Sequence, residues 1–394
     1  MSIVFDPYSR EFVADPYPIY KRLRDEAPVF HNPERNFWAL SRYEDVVAAH
    51  KDAARFLSSG GVTIEGYEAG APLLILKDAP EHAWHKSLVT RVFTPSRMAA
   101  LEPFIRKRTV ELLDAAAKKG EFDFVKEFGV QLPLDVISEL LDIPEEWREE
   151  YHHLLNTLLS RGDGYDMTKM MELNMRLIQV FMTLIQERRV KPRQDVITML
   201  METEIKDESG TPRKLEDFEV AVRFNEMGAA GHETAAKAIA NGAMAFMRFP
   251  DQKQHLLKNP SLLPKAVQEI LRFEPPSQLQ GRTTAVDVTL HGVTIPKGQK
   301  VMLLTGAACR DERAFIDPDR FDITREPDNR SIFFGYGVHK CLGLHLATLE
   351  ITIAFEELFN RYPDFEVDAD KAEYMILSNV RGPASLPGCL RRAA

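Results

Sequence analysis

Residues 215–249 contain no proline and are followed by Pro250, so one helix can run through the whole stretch before the ring of Pro250 stops it. The middle of that stretch, residues 228–236, reads G-A-A-G-H-E-T-A-A. Small residues stand where a surface helix would carry charge. The pattern predicts a central, buried helix with another body pressed against its waist.

The rest of the chain is organised around such an element. Apolar residues three and four apart over 17–26, 97–119, 131–141, 145–160 and 167–189 predict further helices. Another covers about 261–273 and ends at Pro275-Pro276. The texture changes over about 279–307, where alternating Val, Thr and Ile with turns at His291-Gly292 and Pro296-Lys297-Gly298 predict a small sheet. A helix returns over 343–361, and a short strand-like region closes the chain. No repeat, low-complexity tract or flexible linker divides residues 1–394. The expectation is one large, mainly α domain with small β-sheets in its last third.

Composition narrows the function. Lys and Arg number 50 against 59 Asp and Glu, a net charge of −9, which argues against a general nucleic-acid binder. Three cysteines, Cys309, Cys341 and Cys389, are too few for a disulfide framework and fit a reducing compartment. The opening M-S-I-V-F-D-P-Y-S-R-E-F lacks a basic region followed by an apolar run, and the richest apolar run, 177–185, lies between Arg176 and Gln186. A soluble, cytoplasmic protein is expected.

The stretch 333–343, F-F-G-Y-G-V-H-K-C-L-G, says most about chemistry. Gly335 and Gly337 allow the backbone to turn sharply and approach a flat partner. Cys341 stands just before a helix, where the dipole and free N–H groups would lower its pKa and favour metal binding or nucleophilic attack. Taken alone, a free cysteine is more often a buried structural thiol than a functional one. The loop lacks G-x-x-x-x-G-K-[ST], and Cys309 and Cys389 stand at no zinc-ligand spacing. A single thiolate on a glycine-cleared loop suggests haem.

F-G-Y-G-V-H-K-C-L-G resembles the haem-binding signature of the cytochrome P-450 monooxygenases, F-G-x-G-x-H-x-C-x-G, with every fixed position filled. The resemblance implies haem b (iron protoporphyrin IX) with Cys341 as axial iron ligand, the arrangement that favours O–O cleavage. His339 would contact a propionate, and Phe334, Gly335, Gly343 and Ala230 would border the ring. Ala230-Gly231-His232-Glu233-Thr234 looks like the family's A-G-x-[DE]-T motif, in which Glu233 and Thr234 would deliver protons. The competing zinc pattern H-E-x-x-H fails because residue 236 is Ala.

Glu269-Ile270-Leu271-Arg272 is similar to the family's structural E-x-x-R pair, with Arg320 of P-D-R-F expected to join it. Arg282, His82 and Lys86 stand where propionate contacts are expected, Lys86 in place of the usual Arg. Cys309 stands where Asn is common and is read as packing. The resemblance runs from D-P-Y-P-I-Y-K-R-L-R to N-V-R-G-P-A-S-L-P, nearly the whole chain.

By family position, substrate contacts would come from 60–76, Glu226, Met227 and Ala230, Gln278–Leu279 and Ile376–Leu377. Met167, Met170, Met171, Met175 and Met182 could form an adaptable roof over an apolar ligand or simply pack the core. The family implies a monooxygenase; a small to medium apolar substrate such as a terpenoid, steroid or fatty acid is an expectation added to that, and the sequence does not name it. No flavin or nicotinamide fingerprint follows the domain, so electrons would come from a separate ferredoxin or flavodoxin-type donor with its reductase. Arg330, Lys340, Lys86 and Arg91 are either its docking patch or scattered solvated cations. A peroxide-driven enzyme and a non-catalytic haem sensor are the competing readings, and the Glu233–Thr234 pair speaks against both.

Overall fold

From Asp217 to Arg248 the chain is a single helix of 32 residues, about 48 Å long at 1.5 Å per residue. A capping box starts it, with the Glu216 N–H donating to the Glu219 carboxylate at 2.9 Å. It stops at Phe249, and Pro250 opens the next helix, Pro250–Lys258, at a position where a missing N–H costs nothing. The computed structural model describes residues 3–66, 72–158, 166–206, 209–326 and 330–391.

The helices that frame the site are α1 (Glu81–Thr90), α2 (Pro95–Lys119), α3 (Gln131–Leu140), α4 (Glu145–Leu158), α5 (Met167–Val190), α6 (Asp217–Arg248), α7 (Leu263–Phe273) and α8 (Leu344–Arg361). The small residues of α6 lie where its neighbours come closest. A Cβ on Gly231 would stand 2.8 Å from Ile137 Cδ1 on α3. One on Gly242 would stand 2.6 Å from Phe355 on α8 and 2.8 Å from Ile270 on α7. Phe246 makes edge-to-face contacts with Phe321, Phe355 and Phe359 at centroid distances of 5.4, 5.6 and 5.0 Å. Close-packed aromatic neighbours therefore hold the C-terminal half of α6.

The main sheet corrects the expectation that β-structure is confined to the last third. It has five strands, β1 (Val29–Asn32), β2 (Phe37–Leu40), β3 (Phe56–Leu57), β4 (Gln280–Thr284) and β5 (Lys300–Leu303), in the order β1-β2-β5-β4-β3. Three of the five come from the first 60 residues. β5 pairs in parallel with β2, with Val301 opposite Trp38, and antiparallel with β4. The early strands are two to four residues long, too short to show sustained alternation in sequence. Near the C-terminus β6 (Glu373–Tyr374) pairs with β7 (Pro383–Ser385).

The Glu269–Arg272 pair is buried, with side chains 2% and 4% exposed and an N–O separation of 2.7 Å. The guanidinium also donates to the carbonyls of Cys309, Pro318 and Arg320 at 2.8, 2.9 and 3.2 Å. The expectation that the Arg320 side chain joins this pair is corrected. The chain turns through Asp317 (φ +45°) and presents backbone carbonyls inward, while the Arg320 side chain is 62% exposed and only 3.9 Å from Asp251. Arg325 takes the place, 3.2 Å from Glu269. Arg325→Ala is expected to destabilise the fold by about 1–3 kcal/mol, because the buried carboxylate loses one of two cations. Arg320→Ala should change stability by less than about 0.5 kcal/mol. Urea unfolding of the two variants measures the difference.

Candidate active site

The cysteine loop owes its shape to its glycines. Gly335 and Gly337 have φ of +70° and +68°, conformations that disfavour a side chain. A Cβ on Gly337 would lie 2.4 Å from the His50 carbonyl, so the loop is pressed against the helix Tyr43–Lys51. The Gly335 N–H donates to Ile332 and the Cys341 N–H to Phe334, at 2.7 and 2.9 Å. Phe334 is half-buried against the core, its ring 5.2 Å from that of Phe333. Gly343 closes the loop immediately before α8.

Cys341 is exposed, yet surrounding protein raises its pKa by desolvation. Together these describe a thiol open on one side and enclosed by protein on the others. The expected net lowering of its pKa is corrected. Burial is the largest influence and raises it, while the Gly343 N–H and Lys86 act in the opposite direction. A bound metal cation would reverse this, because a coordinating thiol is deprotonated outright.

Basic side chains gather beside the loop. Lys86 on α1 donates to the carbonyls of Val338 and Lys340. His82, on the same helix, packs against His339 with ring centroids 4.0 Å apart. The His339 Nε2 lies 3.0 Å from the Ser58 hydroxyl. Arg282 on β4 is 5% exposed, donates to the Gly281 carbonyl, and has no ion-pair partner among the described residues. His50, also 5% exposed, has no hydrogen-bond partner at either ring nitrogen. Burial, reinforced by neighbouring cations, pushes His50 down to about 3, His82 to about 4 and His339 to about 2. Burial also lowers Arg282 to about 10, opposed by Asp78, whose carboxylate is occupied by the N–H groups of Ser58 and Ser59. Unmatched cations and orphaned ring nitrogens of this kind fit a ligand with buried carboxylates. Haem, with two propionates and an iron that takes thiolate, suits this donor set. Sequence reasoning missed His50 and Ser58, because neither lies in a motif and only the folded loop brings them to His339.

On α6, Ala230 is exposed and Ala229, Gly231, Glu233 and Thr234 are partly so, while most of the following turns are buried. The Thr234 hydroxyl donates back to the Ala230 carbonyl at 3.3 Å, drawing on an acceptor of the helix ladder. Glu233 lies 3.0 Å from Lys237 and 3.8 Å from His232. α8 runs from the cysteine loop to Gly242, where Phe355 packs. The helix that follows the thiol therefore packs on the buried C-terminal half of α6, beyond the accessible stripe.

The expected substrate contacts are placed unevenly. Met227 is 7% exposed, Leu377 9% and Leu279 2%. Leu279 packs within an apolar cluster with Tyr20, Phe37 and Met302. Glu226 accepts from the N–H groups of Leu74 and Ile75 at 2.9 Å each, so it anchors the 60–76 segment to α6. Residues 67–71 of that segment, and the Met167 side chain, lie outside the described residues. Met170 is buried, Met182 packs against the core, and Met171 and Met175 are exposed. Of the four cations expected at the electron-donor face, Lys86 is engaged with the loop, and Arg330 binds the Ala314 carbonyl and lies over the Phe315 ring. Lys340 and Arg91 remain exposed.

Comparison with known proteins gives a consistent result. The family model described as Cytochrome P450 matches residues 150–383. The protein named cytochrome P450 123 of Mycobacterium tuberculosis is 38% identical, covering 98% of this chain and 96% of that one. The vitamin D(3) 25-hydroxylase of Pseudonocardia autotrophica is 36% identical, covering 97% and 95%. The solved structure of cytochrome P450 CYP109Q5 from Chondromyces apiculatus, 30% identical, matches all of both chains with a TM-score of 0.89.

His50 supplies a test of this wall in haem-free protein. Its folded pKa lies below the unfolded value of 6.5, so the unfolded chain binds more protons between the two. Its contribution to stability is present above pH 6.5 and falls as the pH drops toward about 3. His50→Gln is expected to flatten the fall between pH 6.5 and 4 by up to about 1.4 kcal/mol per pH unit. Urea titrations across that range measure it.

Proposed function

Because this chain belongs to the cytochrome P450 family of monooxygenases, we propose that it inserts one oxygen atom of O2 into a small to medium apolar substrate with two electrons from a separate protein. The observation that carries this reading is the accessible Cys341 beside a buried, unmatched set of basic side chains. Cys341 would hold the iron of haem b, and Arg282, His50, His82, His339 and Lys86 would hold the propionates. When bound, haem supplies dioxygen activation and oxygen-atom transfer.

The chain's own residues do the rest. Thr234 and Glu233 move protons toward the accessible stripe at Ala230, where an acid and an alcohol are required. The back-bonded Thr234 hydroxyl sits at 3.3 Å from the Ala230 carbonyl, a distance that allows it to exchange that acceptor for water. Tight packing of α3, α7 and α8 on α6 excludes bulk solvent from the far side of the helix. Met227 and Ala230 would face the substrate. Leu279, enclosed in its cluster, would act on pocket shape through its neighbours.

A steroid-like or fatty-acyl substrate is supported by relatives. One is named as a vitamin D(3) 25-hydroxylase, and CYP109E1 of Bacillus megaterium, 30% identical, was solved in complex with corticosterone. P450BioI, also 30% identical, was solved with acyl carrier protein bearing hexadec-9Z-enoic acid. No described helix is long and apolar enough to cross a membrane, which accords with a cytoplasmic enzyme drawing electrons from a ferredoxin or flavodoxin.

Two measurements test the reading. The dithionite-reduced protein with carbon monoxide is expected to show the red-shifted Soret band of thiolate-ligated haem, lost in Cys341→Ala. A band at the position of histidine-ligated haem would overturn the assignment. With a turned-over compound from a steroid and fatty-acid panel, Thr234→Ala should release peroxide for most of the reducing equivalents consumed. Unchanged product per NADPH would remove Thr234 from the mechanism.

A further inference from the structure

Lys237 follows Glu233 by one helical turn, and the roles assigned above do not use it. Its ammonium lies 3.0 Å from Glu233 Oε1, and the two side chains are 5% and 12% exposed. The same ammonium donates to the Pro383 carbonyl on β7 at 2.9 Å. The other carboxylate oxygen, Oε2, faces His232 Nε2 at 3.8 Å, a nitrogen with no hydrogen-bond partner. His232 Nδ1 lies 3.1 Å from the Gly228 carbonyl. A carbonyl can only accept, so Nδ1 carries the ring proton and Nε2 offers a lone pair in the neutral ring.

Room for Lys237 depends on Gly382. A Cβ there would come within 2.7 Å of Lys237 Cβ and 2.8 Å of Cδ. The stem of Lys237 is therefore confined between α6 and the backbone leading into β7, and its head is fixed by one carbonyl and one carboxylate. A carboxylate this far from water without a partner would be costly to keep. Left unanchored, Glu233 would turn toward whichever donor or water it could reach.

We propose that Lys237 is a positioning residue for Glu233, anchoring Oε1 so that Oε2 is the oxygen that exchanges protons toward Thr234, with Gly382 and the Pro383 carbonyl holding Lys237 in place. This rests on the monooxygenase reading and adds a residue to its proton path. Each proton leaving Oε2 is replaced by one from water, and no electrons move. The two carboxylate oxygens then have separate duties, one holding and one transferring.

The test uses haem-loaded Lys237→Met, Glu233→Gln, their double variant and Gly382→Ala. NADPH consumption is followed in air with a plant-type ferredoxin and its reductase, beside the anaerobic rate of carbon monoxide complex formation. Glu233→Gln and Lys237→Met should each slow NADPH consumption by about tenfold or more. The double variant should be no slower than the slower single one, with the anaerobic rate unchanged throughout. Gly382→Ala, which keeps both charged groups, should slow consumption in the same direction. Urea unfolding of the same cycle should show coupling of the pair by about tenfold in the folding constant. Lys237→Met turning over at the wild-type rate would overturn the proposal, as would losses that multiply in the double variant. Coupling in stability with none in turnover would also overturn it, by making the pair purely structural. If Lys237→Met does not fold, Gly382→Ala decides, and a wild-type rate there counts against the proposal. A wild-type protein without the thiolate band would instead remove the functional reading beneath it.

Discussion

The buried Glu269–Arg272 pair is the fixed point from which the chemistry is positioned. Two charges removed from water at 2% and 4% exposure are stable only if every donor and acceptor is used. Here Arg272 uses its remaining donors on the carbonyls of Cys309, Pro318 and Arg320, and Glu269 accepts from the Asp322 N–H at 2.9 Å. A stretch with almost no regular secondary structure is thereby tied to α7. The cysteine loop is the continuation of that stretch, with Ile332 fully buried at its start. The place of Cys341 follows from a network more than a dozen residues away, as well as from the loop's glycines.

A second constraint acts from the opposite direction. Buried cations are normally matched, yet Arg282 has no ion-pair partner among the described residues and His50 leaves both ring nitrogens unpaired. On the proposed reading, this wall would take negative charge for which Arg282 has no ion-pair partner among the described residues. Stability and ligand binding are therefore linked at this wall, because an anion seated there adds directly to the free energy of the folded state.

The sequence made the large helices and the loop legible because their signals are local. The waist of α6 announces itself by small residues where charge is usual, and F-G-Y-G-V-H-K-C-L-G carries its meaning within its own ten residues. What was not legible is what depends on distant pairing. β1, β2 and β3 are too short to show a period, and Arg320 cannot be told from Arg325 until the turn at Asp317 decides which side chain points inward. The net direction of the Cys341 pKa belongs to the same class. Proximity to a helix start is visible in sequence, but desolvation is a property of the folded surroundings. His50 and Ser58 were invisible for a related reason, as they meet His339 only across the folded sheet edge and loop.

The parallel pairing of β2 with β5 has a temporal meaning. Trp38 finds its partner Val301 only after more than 260 intervening residues have been made. At synthesis rates of roughly 5–20 residues per second, that separation amounts to tens of seconds. Throughout this interval the N-terminal hairpin has an unpaired edge, while the helices that follow it emerge and pack. This closure joins the beginning of the chain to its final third, and the same sheet carries Arg282 of β4 into the wall beside the cysteine loop.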